Sequence, residues 1–137
     1  MKFSFELITT KTPEKIWPFY SEVTNWFKWE DNLSAIELKG AFEQGTTGIM
    51  TLEGQQPMEF ELVEVTGNQS FCDKTEIPNL GSLYFNHELI PIEGKTIVRH
   101  SVEFASLTGK ENKEALAFLS QVFSDVPASV FSLSEVI

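Results

Sequence analysis

The chain has 137 residues, with 20 acidic and 10 basic side chains and a formal net charge of −10 at pH 7. This length suits one domain spanning residues 1–137. The acidic balance argues against nucleic-acid binding, which needs a basic surface, and against docking on anionic lipid. Because Cys72 is the only cysteine, no internal disulfide can form, and we expect a cytoplasmic protein. The sequence begins without the apolar core of a signal peptide and has no apolar run of membrane-spanning length, so we expect no stable membrane insertion.

The N-terminal part predicts a strand followed by two short helices. Polar and apolar residues alternate over residues 2–9, which is typical of a half-buried strand. Thr12 suits the cap of a first helix, and Pro13 suits its first turn. A second helix is expected from Ser21 to about residue 27. We expect Trp29, just beyond it, to close the two helices onto a sheet.

Four strands are predicted next, separated by glycine-containing turns. They cover residues 33–41, 46–52, 58–65 and 70–77. If Gly67-Asn68 is a two-residue turn, Asp73 faces inward opposite Leu62. The same register also turns Glu64 inward, which counts against it.

The stretch over residues 82–104 predicts the central hairpin of the sheet. Two alternating runs flank Glu93-Gly94, which suits a two-residue turn. That turn sets the register, so His87 faces His100 on the inward side. The apolar pairs on that side are Phe85 with Val102, Leu89 with Val98, and Leu83 with Phe104. Glu88 then meets Arg99 on the outer side, and a slip of one residue would mix the two sets.

The C-terminal part changes to a helical period. Thr108 and Glu111 match a capping box, and Pro127 is expected to kink or end the helix. The predicted apolar stripe consists of Leu116, Leu119, Phe123 and Val126. The element order therefore predicts an α+β fold, in which a seven-stranded antiparallel sheet is covered by one long C-terminal helix.

Several short segments resemble the START-like superfamily, which includes the polyketide cyclase/dehydrase and lipid-transport family. They are Thr12–Trp17, Asn25–Trp29, Gly94–Val98, and Gly109 before the last helix. The resemblance implies the helix-grip fold, in which a curved seven-stranded sheet holds a long helix around a hydrophobic cavity. Members of the superfamily include lipid carriers, hormone binders, aromatase/cyclases and activators of a chaperone ATPase, so the fold does not determine function.

His87 and His100 are the only polar side chains on the inward face of the hairpin. They can line a cavity, or act as an acid and a base, since histidine titrates near neutral pH. A metal site needs three or four ligands, so two histidines predict no metal. The candidate catalytic residues are therefore His87, His100 and Asp73.

We expect a cavity between the last helix and the middle of the sheet. The residues predicted to contact a ligand are Phe60, Leu62, Phe85, His87, Leu89, Val98, His100, Val102, Leu119 and Phe123. The expected function is binding of a hydrophobic small molecule or lipid, without a cofactor. The alternatives are a small polyketide-type cyclase or dehydratase that uses the histidines, and an interaction module that regulates a chaperone ATPase. The oligomeric state stays open.

Overall fold

The computed structural model describes residues 1–137 as seven strands and a set of helices. The strands are β1 (Lys2–Thr9), β2 (Leu33–Leu38), β3 (Thr47–Leu52), β4 (Met58–Thr66), β5 (Ser70–Ile77), β6 (Gly81–Ile92) and β7 (Lys95–Ser106). The helices are α1 (Pro13–Ile16), α2 (Pro18–Ser21), a 3₁₀ helix (Val23–Lys28), α3 (Lys113–Phe123) and α4 (Val126–Val136).

The seven strands form one antiparallel sheet in the order β1-β7-β6-β5-β4-β3-β2. Strands β2 to β7 follow one another as hairpins, and β1 returns to pair with β7. The two helices α3 and α4 lie across β1 and β7. This is the helix-grip arrangement, so the predicted fold class is confirmed.

The central hairpin has the predicted register. His87 pairs with His100, and Phe85 pairs with Val102. Glu93 and Gly94 both have positive φ, at 46° and 80°, as a type I′ turn requires. This turn matches the natural twist of the strands, which explains why the local sequence predicts the pairing along the full hairpin.

The β4–β5 hairpin differs from its predicted geometry in two ways that compensate each other. The turn contains three residues, with Asn68 at φ 61°, and a bulge interrupts β4 between Leu62 and Glu64. Leu62 therefore still faces Asp73, as predicted. Glu64 instead pairs with Cys72, on the other side of the sheet, so the two-residue turn is wrong and the objection that it would turn Glu64 inward is confirmed. The bulge is the physical reason, because one extra residue reverses the alternation.

The N-terminal helices are shorter than predicted. Thr12 occupies the first cap position, but its side chain makes no capping hydrogen bond. Ser21 is the last residue of α2 rather than the cap of the following helix. Pro18 begins α2, since a proline lacks the N–H that would continue α1. The segment is therefore divided into single turns rather than two regular helices.

Two tryptophans anchor these short helices. The indole Nε1 of Trp26 donates to the main-chain oxygen of Tyr20 at 2.8 Å, and that of Trp29 donates to Phe19 at 2.9 Å. Both rings are buried in the largest apolar cluster. The predicted structural role of Trp29 is confirmed, since its ring fills the core while its only polar atom is satisfied.

The C-terminal helix begins later than the capping box predicted. Asn112 caps α3 and accepts from the amide of Ala115 at 2.9 Å. Glu111 binds the N-terminal amine at 2.9 Å instead of reaching back to Thr108. The predicted capping box is therefore wrong, because Gly109 within it has a positive φ of 71°, which a right-handed helix does not allow, and Asn112 takes the cap instead.

The helices α3 and α4 do not bury every residue of the apolar stripe that was predicted for one continuous helix. Pro127 lies in the first turn of α4, where its missing N–H costs least, so the predicted interruption is confirmed. Leu119 is fully buried. Leu116 is 42% exposed, so its predicted place on the inward stripe is wrong.

The run Lys113–Val136 is long and apolar enough, by length and composition, to cross a membrane. In this fold the run is bent at Pro127 and packs one side on β1 and β7 as the cover of the sheet.

Two packed clusters form the interior. The larger has twelve buried residues and joins the short helices, the sheet and α4: Ile16, Tyr20, Trp26, Trp29, Leu33, Phe60, Leu62, Phe71, Leu89, Val98, Val130 and Leu133. The smaller lies under α3: Leu83, Val102, Phe104, Ala115 and Leu119. Residues of both clusters also line an open space between the sheet and the C-terminal helices.

Candidate functional site

A cavity of about 520 Å³ lies between the helices α3 and α4 and the inward face of the sheet. This volume falls within the range of small-molecule sites in proteins, roughly 300–1,000 Å³. Its inner wall includes Trp29, Leu83, Phe85, Val102 and Phe118. The interior is therefore mainly aromatic and aliphatic.

Polar side chains surround the opening. The exposed residues on the lining are Asn32, Gln55, Gln56, Gln121, Ser124 and Asp125. They come from the β3–β4 loop, the end of α3 and the segment before β2. An apolar interior with a polar rim fits a molecule whose hydrophobic part is enclosed.

The structure divides the predicted site residues into two groups. Phe85, His87, His100, Val102 and Asp73 line the cavity. The other predicted ligand contacts lie in the packed core or at its edge: Phe60, Leu62, Leu89, Val98, Leu119 and Phe123.

The second group shares the inward face of the sheet but not the open space. Leu89 and Val98 lie near the turn of the central hairpin and pack in the cluster that the short helices and α4 complete. Phe123 packs its ring edge-on to Phe3 at 5.7 Å between centroids. Strand alternation identified the inward face correctly, while the position of the covering helices decides which inward residues meet open space.

The two histidines form a buried pair at the inner end of the cavity. Their ring centroids are 4.6 Å apart, at an interplanar angle of 72°. The ring of His87 stacks on Phe71 at 4.0 Å, and His100 Nε2 is 2.7 Å from the Tyr20 hydroxyl. The predicted inward placement of both rings is confirmed.

Burial keeps this pair uncharged at neutral pH. It lowers the pKa of His87 to about 3, although main-chain contacts with Phe71 and Phe85 act in the opposite direction. It also lowers the pKa of His100, and the neighbouring His87 adds to this effect. Burial raises the pKa of Tyr20, so the hydroxyl keeps its proton and can donate it to His100 Nε2.

Asp73 is the inward carboxyl group beside this pair. It is 3% exposed, and its Oδ2 lies 4.0 Å from His87 Nδ1, beyond hydrogen-bonding distance. Burial raises the pKa of Asp73, and the charge of Glu30 raises it further. An imidazolium and a carboxylate at this distance would attract each other, but burial disfavours both charged forms and favours the neutral pair.

His87 Nδ1 is the one fully buried side-chain nitrogen or oxygen atom without a hydrogen-bond partner. Leaving such an atom unpaired typically costs about 1–3 kcal/mol. Nδ1 itself is not exposed to the cavity that His87 lines, so a molecule bound there supplies the missing partner once a neighbouring side chain shifts.

Sequence analysis missed two polar residues of the site, Tyr20 and Glu30. Glu30 follows the 3₁₀ helix and lines the cavity. Burial, opposed by a hydrogen bond with Ser129 and assisted by the charges of Asp31 and Asp125, raises its pKa to about 7. No periodic pattern marks either residue, because Tyr20 resembles ordinary helix packing and Glu30 lies in a charged, irregular segment.

The arrangement favours particular chemistry over others. No group of three or more histidine, cysteine, aspartate or glutamate side chains is placed to hold a metal ion. A histidine with a pKa near 3 is a weak base at neutral pH, whereas a carboxyl group with a pKa near 7 is well matched to proton transfer. The site therefore offers hydrogen-bonding groups and two protonatable carboxyl groups within an apolar enclosure.

No protein-family model matches the sequence, and no curated protein matches it. Solved structures do resemble it. The di-domain ARO/CYC protein BexL from the BE-7585A biosynthetic pathway has a TM-score of 0.77 at 11% identity, covering 98% of this chain and 45% of BexL. Protein MLL2253 from Mesorhizobium loti has a TM-score of 0.76 at 14% identity, with 98% and 95% covered. For Ara h 8.0201 the TM-score is 0.74 at 12% identity, with the same coverage.

At these identities the similarity concerns the fold. The chain has the helix-grip fold, which it shares with START-like proteins such as BexL and Ara h 8.0201. The resemblance found in the sequence is thus confirmed at the level of architecture.

Proposed function

We propose that this protein binds a hydrophobic small molecule in the cavity beneath α3 and α4. The observation that carries the proposal is a 520 Å³ cavity with largely apolar walls, which the buried polar side chains of Asp73, His87 and His100 also line. A mainly apolar molecule with one polar group fits both parts of this lining. The proposal includes a cytoplasmic location and a single domain, supported by the one free, buried Cys72 and by the packing of all helices on one sheet.

The walls supply the binding energy and the polar end supplies the orientation. Apolar surface removed from water contributes about 25 cal/mol per Å². Phe85 and Phe118, which are half-buried, offer such surface inside the cavity. Hydrogen bonds to His87 or Asp73 then favour one direction of entry, as the few polar groups of such pockets usually do.

Titration with the uncharged dye N-phenyl-1-naphthylamine tests the proposal. We expect saturable fluorescence enhancement with one site per chain in the wild type. Val102→Phe should weaken binding several-fold, because the larger ring occupies the cavity. Leu116→Phe is the matched control, since Leu116 is exposed on α3 and does not line the cavity. Absence of saturable binding in the wild type would refute the proposal.

A second candidate is a small cyclase or dehydratase acting on a polyketide-like substrate. The observation that favours it is the row formed by Tyr20, His100, His87 and Asp73, with a 2.7 Å hydrogen bond at one end and a 4.0 Å separation at the other. If the protein is such an enzyme, wild type should convert a compound that co-purifies with it, as followed by mass spectrometry. Loss of an acid or base group should slow conversion by about 10²–10⁴-fold, so His100→Asn and Asp73→Asn distinguish the two functions. Unchanged compound after prolonged incubation favours binding alone.

A further inference from the structure

We infer that the ligand carries a protonated amine, which binds between the side chains of Asp73, Glu30 and His87 at the inner end of the cavity. This inference rests on the proposed function, because it names the class of molecule that the cavity takes.

The charge of the lining is the first reason. Glu30, Asp73 and Asp125 line the cavity, and no lysine or arginine does. The whole chain carries a net charge of −10. An anionic ligand, such as a fatty acid, would place its carboxylate among acidic groups without any cation to pair with. A cationic ligand meets favourable charge both on approach and inside.

Unused hydrogen-bonding capacity is the second reason. No other residue donates a hydrogen bond to the buried carboxyl group of Asp73, which contacts only its own main-chain amide. His87 Nδ1 has no partner, and the two groups face the same cavity. An ammonium group has three donors and no acceptor, so it can serve a ring nitrogen and a carboxylate together. Such charge-assisted bonds are roughly twice as strong as neutral ones.

The two carboxyl groups can supply the balancing charge. The charges of Glu30 and Asp73 affect each other, so the empty site disfavours ionisation of both. Burial without a cation raises the pKa of each group, to about 7 for Glu30. A bound ammonium removes that penalty: one carboxyl group gives up its proton to solvent, and the resulting ion pair is neutral. A buried charge is tolerated when it is paired in this way.

Aromatic rings of the cavity wall can contact the hydrophobic part of such a ligand. Trp26, Trp29, Phe85 and Phe118 line the cavity around these groups. They can enclose a hydrophobic body, and an aromatic face also attracts a nearby cation. The expected ligand is therefore a hydrophobic or aromatic amine rather than a carboxylic acid or a neutral sterol.

Three probes with the same ring test the inference: 1-naphthylmethylamine, 1-naphthalenemethanol and 1-naphthoic acid. At pH 7 they carry one positive charge, no charge and one negative charge. Each is titrated against the wild-type protein loaded with N-phenyl-1-naphthylamine, and displacement of the dye is measured. We expect the amine to bind about 10-fold or more tightly than the alcohol, the effect of one charge-assisted hydrogen bond. The acid should bind more weakly than the alcohol.

Variants then locate the preference. Asp73→Asn and Glu30→Gln should each reduce the amine-to-alcohol ratio several-fold while changing alcohol affinity little. Glu43→Gln is the control, because it removes the same charge from the exposed β2–β3 loop and should leave the ratio unchanged. Gln121→Arg adds a positive charge at the exposed rim of the cavity without disturbing the core. It should lower the affinity for the amine probe and raise the affinity for the acid probe.

The outcomes separate this inference from the proposed function. An amine that displaces the dye no better than the alcohol, or not at all, overturns the inference while dye binding still supports the cavity. An amine preference that survives both Asp73→Asn and Glu30→Gln also overturns it, because the cation then binds elsewhere. If the dye itself does not bind the wild type, the proposed function fails, and the inference fails with it.

Discussion

Substitution of valine by phenylalanine at two positions of β7 tests where the interior is open. Val98 and Val102 face the same side of the sheet and are 3% and 1% exposed. Val102 lines the cavity, whereas Val98 packs in the twelve-residue cluster. Overpacking a filled core typically costs about 1–3 kcal/mol, so Val98→Phe should destabilise by that amount. Val102 also packs in the cluster under α3, but it borders 520 Å³ of open space into which a larger ring can extend, so Val102→Phe should cost less, under about 1 kcal/mol.

Thermal unfolding combined with dye titration measures both effects. At this chain length, 1 kcal/mol corresponds to roughly 3–5 °C in Tm. Val98→Phe should therefore lower Tm by about 3–15 °C and leave dye affinity nearly unchanged. Val102→Phe should weaken dye binding and change Tm little. If Val102→Phe destabilises the protein as much as Val98→Phe, the space beneath α3 is packed in solution and the argument for a cavity is refuted.

Three further predictions concern the inward side of the C-terminal helices, the ionisation of Glu30 and the close contact between strands at Gly48. Leu133→Ala should cost about 2–5 kcal/mol in urea unfolding because Leu133 is fully buried, whereas Leu116→Ala should cost under about 1 kcal/mol; equal losses would contradict the assigned inward side. Burial raises the pKa of Glu30 from 4.5 to about 7, so its contribution to stability is complete below pH 4.5 and is lost as the pH rises through 7. Glu30→Gln should remove this loss of stability, which is on the order of 1–3 kcal/mol between pH 4 and 8. The control Glu43→Gln should keep the wild-type dependence of stability on pH. Parallel pH profiles for the wild type and both variants would rule out a raised pKa at Glu30. A Cβ at Gly48 would lie 2.6 Å from a main-chain oxygen of the neighbouring strand, so Gly48→Ala should destabilise by about 1–3 kcal/mol, and an unchanged urea midpoint would disprove this contact.

Local physical chemistry explains most of what the sequence determined. Alternation with a period of two marks a strand wherever one face is buried, so the strand positions were predicted closely. Gly94 favours a tight turn by its own backbone preference, and the pairing of His87 with His100 follows from the two-residue turn that it forms with Glu93. The break at Pro127 has a similar origin, since a missing N–H acts at the residue that lacks it.

Contacts between distant residues explain where the sequence analysis was wrong. The bulge after Leu62 depends on how β4 meets its neighbours, and it keeps Asp73 inward while Glu64 points outward. Gly109 has a positive φ of 71° inside the expected capping box and Asn112 caps the helix, so α3 begins at Lys113. The bulge has no local signature, because a local pattern contains no information about the partner strand.

The sequence by itself determined an antiparallel sheet, a covering helix and an inward pair of histidines. Only the tertiary structure decided which inward residues meet open space, placing Phe85 and Val102 on the cavity and Val98 in the core. It also brought Glu30 to the cavity that Asp73 lines. The physical reason is that an element's face follows from its own periodicity, whereas empty volume and burial depend on how α3, α4 and the short helices fit across the sheet.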